Sequence, residues 1–190
     1  MDIRPQPNYP FEFYQWDALE APLTGFDAVH ASPPCQRYSV ASKSHNGRAN
    51  EWPDLIARVR DRLLKTGLPF VIENVAGARA ELRDPVLLCG TMFSDLRVIR
   101  HRRFECHGFR PWQPVCNPHP LCHTLDKRKA HYGKTDEWVD FVQVNGGGNS
   151  SKEAAADAMK IWWMKTKHEL NEAIPPAYTQ FIGKHLLEVL

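Results

Sequence analysis

The chain has 190 residues, of which 43% are hydrophobic and 24% charged, and its formal net charge is +2. This balance excludes a disordered chain and allows one domain with a hydrophobic core. The sequence contains no apolar run near the roughly 20 residues of a membrane span and no apolar secretory signal at its start. We therefore expect a cytoplasmic protein (in the host cytoplasm, if a phage encodes it) without a membrane partner. An odd number of cysteines, five in all, favours reduced thiols over a disulfide framework.

The first half of the chain predicts part of a parallel α/β sheet. Segment 11–16 is aromatic-rich and strand-like, and the apolar run 26–31 is a strand that ends at a Ser-Pro-Pro triplet, because prolines cannot continue a central strand. Segment 53–66 has apolar residues at helical spacing and is followed by glycine, which predicts a helix. The apolar run 69–75 predicts a buried strand. This strand, loop, helix and strand are typical of parallel α/β sheets.

The second half of the chain has weaker periodicity. We predict strands at 86–92 and 102–106, an irregular segment at 108–123, and helices at 151–164, 169–174 and 177–190. Trp162 falls on the apolar side of the first of these helices, so we expect it to pack in the core.

Two predicted strands end in side chains suited to catalysis. Cys35 follows the strand 26–31 on a tight proline loop, which would hold the thiol in place and exposed, as a nucleophile requires. Glu73 lies at the end of the strand 69–75, at the same edge of the sheet. A carboxylate near low dielectric has a raised pKa and can carry a proton near neutrality. Either residue alone has a structural interpretation, a buried thiol or a salt-bridge partner, but the pair favours catalysis. A thiol hydrolase using Cys35 with His30 or His45 as its base is an alternative.

The order of several motifs carries a resemblance to a known family. Residues 32–36 (SPPCQ) and 71–75 (VIENV) resemble the PCQ and ENV motifs of the DNA cytosine-C5 methyltransferases. Segments 88–93 (LCGTMF) and 99–105 (IRHRRFE) resemble the family's next motifs, including its R-x-R element. Segment 172–178 (EAIPPAY) and Ile182-Gly183 resemble the closing motif of its short, phage-type members. The resemblance covers nearly the whole chain.

The resemblance implies transfer of a methyl group from S-adenosylmethionine to C5 of a cytosine flipped out of double-stranded DNA. In this role Cys35 would add to C6 of the base, and Glu73 would donate a proton to N3 and contact the exocyclic amine. Arg100 and Arg102 would hold the base. The same motifs assign substrate contacts to Pro34, Gln36, Asn74 and Arg103. An inactive or incomplete homologue that only binds DNA is the alternative.

The family's Gly-rich cofactor loop, roughly F-x-G-x-G-G, has no counterpart before Cys35. We therefore expect a Rossmann-like S-adenosylmethionine-dependent methyltransferase fold that is N-terminally truncated. An upstream start, a separate N-terminal fragment and a remnant without catalysis are three explanations. The resemblance assigns Asp2 to the ribose hydroxyls and Asp17 to the adenine of the cofactor, with Pro33 in the same site.

We expect a catalytic α/β core over 1–106, a small irregular target-recognition region over 107–149, and C-terminal helices over 150–190 that return to the core. Basic clusters at 97–110 and 127–134 suit phosphate contacts to DNA, with a solvated basic surface as the alternative. Soft ligands with spacing suited to zinc are Cys106, Cys116, His119 and Cys122. Packing or DNA contact is the favoured interpretation of these residues, so the sequence predicts no metal.

Overall fold

The computed structural model of the chain describes residues 1–39, 51–116, 141–145 and 150–190. These residues form a mixed α/β fold whose elements are, in chain order, β1 (Val29–Ala31), α1 (Ile56–Leu64), β2 (Phe70–Val75), β3 (Val86–Leu88), β4 (Val98–Ile99), β5 (Arg102–His107), β6 (Val142–Gln143), α2 (Lys152–Met159), α3 (Lys167–Glu172) and α4 (Pro176–Leu186). Short 3₁₀ turns follow β2 at Ala76–Ala78 and β3 at Gly90–Met92. Among the described helices, none combines the length and the apolarity needed to cross a membrane.

A four-stranded mixed sheet with the order β1-β2-β5-β3 organises the fold. Strands β1 and β2 are parallel, as the sequence predicts, with Val29 opposite Phe70 and Ala31 opposite Ile72. Strand β5 runs antiparallel to both β2 and β3. Strands β1, β2 and β3 therefore share one direction and β5 opposes them. A separate parallel pair joins β4 to β6.

Both faces of β2 are buried because its alternate side chains enter two different cores. Phe70 and Ile72 pack with Ile56 and Leu63 of α1, whose apolar residues lie on one helical face. Val71 points to the opposite face, where its core includes side chains from α2, α3 and α4. Helices therefore cover the sheet on both sides.

A buried ion pair ties α1 to β5. The Arg60 guanidinium donates two hydrogen bonds to the Glu105 carboxylate, each 2.7 Å long. The same carboxylate accepts the backbone N–H of Arg83 at 2.8 Å. A paired and hydrogen-bonded charge tolerates burial that an isolated charge would not, which explains why an arginine lies on the packed face of α1.

The structure corrects several predicted elements. The predicted strand 86–92 ends at Leu88 and is followed by the 3₁₀ turn at Gly90–Met92, and the predicted helix 177–190 ends at Leu186. Segment 11–16 is not a strand, since its only sheet contact among the described residues is an isolated parallel bridge between Gln15 and Asp2. The predicted helix 151–164 ends at Met159, because Lys160 adopts a left-handed conformation (φ 59°, ψ 44°). The chain leaves the helical direction there, and Trp162, predicted to lie in the core, is 65% exposed.

Candidate active site

The loop that carries Cys35 is fastened to the end of β2 by two side chains. Ser32 forms a side-chain hydrogen bond with Glu73. Asn74 donates its amide to the backbone carbonyl of Pro33 at 2.8 Å. Because β1 and β2 are parallel, the loop leaves β1 at the same sheet edge at which Glu73 lies. The two predicted strand ends therefore meet in space.

A tight turn holds the backbone of Cys35. Its carbonyl accepts the N–H groups of Tyr38 and Ser39 at 3.0 and 2.9 Å. The Tyr38 side chain is buried and donates its hydroxyl to Asp54 at 2.7 Å. Gly77 lies so close beneath the Tyr38 carbonyl that a Cβ atom at this position would collide with it. The thiol is thus presented from a packed loop, while Cys35 itself stays half-buried.

Glu73 is 5% exposed, and its carboxylate lies 3.0 Å from the Nε atom of Arg102. In the antiparallel pair Glu73 is opposite Phe104, so Arg102, two residues earlier on β5, shares the face of the sheet on which Glu73 lies. Burial raises the pKa of Glu73, and the charge of Arg102, the Ser32 hydrogen bond and the charge of Arg100 oppose that rise. The pKa remains above its ordinary value, which favours a carboxyl that holds a proton at higher pH than an exposed glutamate.

Arg100 is 3% exposed and binds backbone rather than Glu73. Its guanidinium donates to the carbonyl of Val144 and to that of Asn171, the latter at 2.6 Å. The Tyr178 hydroxyl donates in turn to the backbone carbonyl of Arg100 at 2.6 Å. Burial, followed by the charge of Arg102, lowers the pKa of Arg100 to about 9. The closing motif near Tyr178 therefore fixes the segment that carries both arginines.

Glu73 and Arg102 also act on the charge of the Cys35 thiol. Burial raises the pKa of the Cys35 thiol, the charge of Arg102 lowers it, and the charges of Glu73 and Glu172 raise it. The net shift of the Cys35 pKa is upward, which favours the neutral thiol. Cys35, Glu73 and Arg102 thus lie within electrostatic reach of one another, with Arg102 as the group that favours the thiolate.

Of the remaining predicted substrate residues, Pro34 and Gln36 lie next to Cys35, whereas Arg103 lies on the other face of the sheet. Pro34 is exposed and Gln36 half-buried on either side of Cys35. The Oε1 atom of Gln36 is buried without a hydrogen-bond partner among the described residues. Arg103 is opposite Asn74 and therefore on the other face of the sheet, where its Nε donates to the Ala76 carbonyl at 3.3 Å. The structure brings Arg102, and not Arg103, to Glu73.

The histidines expected of a thiol hydrolase do not form a described dyad with the thiol. The Nε2 atom of His30 lies 3.5 Å from the Ser32 hydroxyl, and its ring packs edge-on against Phe104. His45 lies outside the described residues, as do the basic cluster 127–134, His119 and Cys122.

The two acidic residues assigned to the cofactor lie on adjacent segments. The bridge between Asp2 and Gln15 places Asp2 and Asp17 on neighbouring, parallel stretches of chain. Each carboxylate is half-buried and accepts a nearby backbone N–H at 2.8 Å. A carboxylate has further acceptor positions, so both side chains can accept hydrogen bonds from further hydroxyl or amine donors. The Pro33 carbonyl is already bound by Asn74.

The structure groups the soft ligands differently from the prediction. Cys106 lies in β5, where burial raises its pKa to about 12. Cys116 lies instead near His101 and Cys89, and one ligand atom from each falls within 4.8 Å of the other two. Sequence reasoning missed Cys89 and His101 because they come from separate segments and share no short spacing with Cys116. A search for all cysteines and histidines within or next to predicted strands would have included them.

A comparison with protein-family models finds no match for this chain, and a search of curated proteins finds no similar sequence.

Proposed function

We propose that this chain carries the catalytic centre of a DNA cytosine-C5 methyltransferase on a Rossmann-like fold. The observation that carries the proposal is the Asn74 hydrogen bond that holds the Cys35 loop at the end of β2 next to Glu73, whose carboxylate is paired with Arg102 at 3.0 Å. A half-exposed thiol beside a buried carboxyl with a raised pKa supplies a nucleophile and an acid at one sheet edge. The order of the PCQ-like, ENV-like and R-x-R-like segments supports the same assignment.

In the proposed reaction the Cys35 sulfur, as thiolate, forms a bond to C6 of an extruded cytosine. The electrons of the C5=C6 double bond form a C4=C5 double bond, those of the C4=N3 double bond move onto N3, and N3 takes the proton that Glu73 holds. Glu73 then becomes a carboxylate, which the adjacent guanidinium of Arg102 stabilises. After C5 has gained the methyl group, with release of S-adenosylhomocysteine, it loses its proton to a base, the C5=C6 bond re-forms, the Cys35 sulfur leaves as a thiolate and N3 returns its proton to Glu73.

Cys35 must lose its proton before it attacks, and the charges around the thiol would act on this step. Burial holds the thiol pKa above its ordinary value, whereas the charge of Arg102 favours the thiolate. Neutralisation of Glu73 by protonation removes a charge that opposes the thiolate. The protonated acid and the ionised nucleophile therefore favour each other, which is the combination that the addition step requires.

S-adenosylmethionine, when bound, supplies the methyl group. Asp2 and Asp17 would accept hydrogen bonds from its ribose hydroxyls and adenine amine. Both belong to the segment that precedes β1, so the proposed cofactor residues and the nucleophile come from consecutive parts of the chain.

The proposal is tested with double-stranded DNA in which cytosines are replaced by 5-fluorocytosine, mixed with the protein and S-adenosylmethionine. Fluorine cannot leave C5 as a proton does, so the covalent complex accumulates. We expect a complex that resists denaturation with the wild type and with Cys106→Ala, and none with Cys35→Ala. A random-sequence duplex is required because the recognised sequence is not specified by these residues.

A DNA-binding protein without catalysis is the second candidate, and the exposed side chains of Arg97 and Arg110 in the basic segment 97–110 are the observation that favours it. This candidate predicts duplex binding that weakens steeply with salt, because lysine and arginine contacts to phosphates release counterions. Salt-dependent binding without an adduct would support it and contradict the methyltransferase proposal.

A further inference from the structure

Three soft ligand atoms converge at a place distinct from the thiol–carboxyl pair. The sulfurs of Cys89 and Cys116 and a ring nitrogen of His101 all lie within 4.8 Å of one another. The Cys116 sulfur is 3.6 Å from Nε2 of His101. Tetrahedral zinc, with Zn–S near 2.3 Å and Zn–N near 2.0–2.1 Å, requires an S···N separation of about 3.6 Å and an S···S separation of about 3.8 Å. The measured sulfur–nitrogen distance fits this geometry.

We propose that Cys89, His101 and Cys116 form a structural zinc site. Two sulfurs and an imidazole are the donor set that zinc prefers, whereas calcium and magnesium prefer oxygen ligands. Two thiolates neutralise the charge of the ion, which suits a site where Cys89 is fully buried. This proposal is independent of the methyltransferase proposal.

The position of Cys89 is fixed by close packing. It follows β3, and its backbone N–H lies 3.3 Å from the sulfur of Met92. The next residue, Gly90, packs so tightly against the Val98 carbonyl of β4 that a Cβ atom would overlap it. Because β4 ends two residues before His101, this contact brings the Cys89 turn to the histidine.

An independent interaction brings Cys116 to the same place. The side-chain amide of Gln113 binds the backbone of Leu87 in both directions: it accepts the N–H at 2.8 Å and donates to the carbonyl at 2.9 Å. This pairing holds the segment before Cys116 alongside β3, next to Cys89. The Thr91 hydroxyl also lies 3.9 Å from the Cys116 sulfur. The three ligands are thus positioned by separate parts of the fold.

Three protein ligands leave one position of a tetrahedral ion for water or a further side chain. His119 and Cys122 follow Cys116 in the sequence, but the proposal does not depend on them. His101 lies between Arg100 and Arg102, so a bound ion would fix the backbone of the segment whose Arg102 pairs with Glu73.

The site is tested by metal analysis of the full chain, expressed with zinc and purified under reducing conditions without chelators. We expect about one zinc per chain by mass spectrometry of the elements, as a single structural site requires. Cys89→Ser, His101→Ala and Cys116→Ser should each lose most of it. Cys106→Ser and Cys35→Ser are the matched controls, since both replace a thiol outside the cluster, and they should keep the full content.

Two measurements on the wild type keep the proposal testable if the variants do not fold. Cobalt added to metal-free protein should give the visible absorption of a tetrahedral ion together with thiolate charge-transfer bands in the near ultraviolet. A strong chelator should lower the thermal unfolding midpoint. The proposal is overturned if the reduced wild type contains no zinc and gives no such cobalt spectrum, if Cys106→Ser loses the metal while the cluster variants keep it, or if Cys89 and Cys116 are found joined by a disulfide.

Discussion

Replacing Arg102 with methionine removes the charge that lies 3.0 Å from the Glu73 carboxylate while it keeps an unbranched stem in the same space. At that distance two unit charges attract by about 5–6 kcal/mol when the effective dielectric constant is about 20. The variant does not lose this whole amount, because Glu73 can take up a proton instead of staying charged and buried. Protonation costs about 1.4 kcal/mol for each pH unit above an unfolded pKa of about 4.3. This cost limits the charge-dependent loss of stability to about 4 kcal/mol at pH 7 and about 1 kcal/mol at pH 5.

The direction of the pH dependence follows from linkage. The pKa of Glu73 in the folded protein is above its ordinary value. At a pH between the unfolded and the folded pKa, the folded state therefore binds more protons than the unfolded state. The free energy of unfolding falls as the pH rises through this interval. Arg102 lowers the folded pKa, so its loss extends that interval upwards. The free energy of unfolding of Arg102→Met should therefore fall more steeply with pH than that of the wild type.

Urea unfolding followed by tryptophan fluorescence at pH 5, 6, 7 and 8 measures this difference. We expect Arg102→Met to be about 1–3 kcal/mol further below the wild type at pH 8 than at pH 5, because the charge of Arg100 partly replaces the lost one. The control compares the double variant Arg102→Met with Glu73→Gln against Glu73→Gln alone. Neither protein has this carboxyl to titrate, so the difference between their free energies of unfolding should not change with pH. An equal loss at pH 5 and pH 8 in the single variant would refute the reasoning.

Three further predictions concern other parts of the fold. Arg60→Ala leaves the buried Glu105 carboxylate without its partner and should cost about 3–5 kcal/mol in urea unfolding; a loss below about 1 kcal/mol would mean that the pair is solvated. Gly90→Ala places a methyl group against a backbone carbonyl of β4, so calorimetry should show a lower unfolding midpoint, and an unchanged midpoint would contradict the close contact. Glu73→Gln removes a charge that raises the pKa of Cys35, so alkylation of Cys35 by iodoacetamide should begin at lower pH than in the wild type. Peptide mass spectrometry measures this alkylation as a function of pH, and a shift to higher pH would exclude the charge interaction.

The parallel pair of β1 and β2 and the loop after β1 were predictable because their signals are local. An apolar run followed by two prolines must end as a strand at that point, and the helical pattern of α1 lies between the two strands. The same reasoning placed Cys35 and Glu73 at one sheet edge. Helix α4 begins at Pro176, one residue before the predicted helix 177–190, because proline suits the first turn of a helix.

The features that the sequence did not predict depend on contacts between distant residues or on an unusual backbone conformation. The choice between Arg102 and Arg103 is made by the register of β5 on β2, and a shift of one residue would exchange the two faces. The early end of α2 depends on Lys160 in a left-handed conformation that lysine rarely adopts, so no sequence signal marks it. The cluster of Cys89 with Cys116 arises only when Gln113 pairs with β3.

The central claim is that the Cys35 sulfur adds to C6 of a cytosine, and hydrogen exchange at C5 measures this addition most directly. Addition makes C5 able to take up a proton from water, and reversal then releases either hydrogen, so duplex DNA tritiated at C5 of cytosine should lose tritium to the solvent without any methyl donor. We expect tritium release with the wild type and none with Cys35→Ala. Equal release by both proteins, or no release by a wild type that binds the duplex, would contradict the claim.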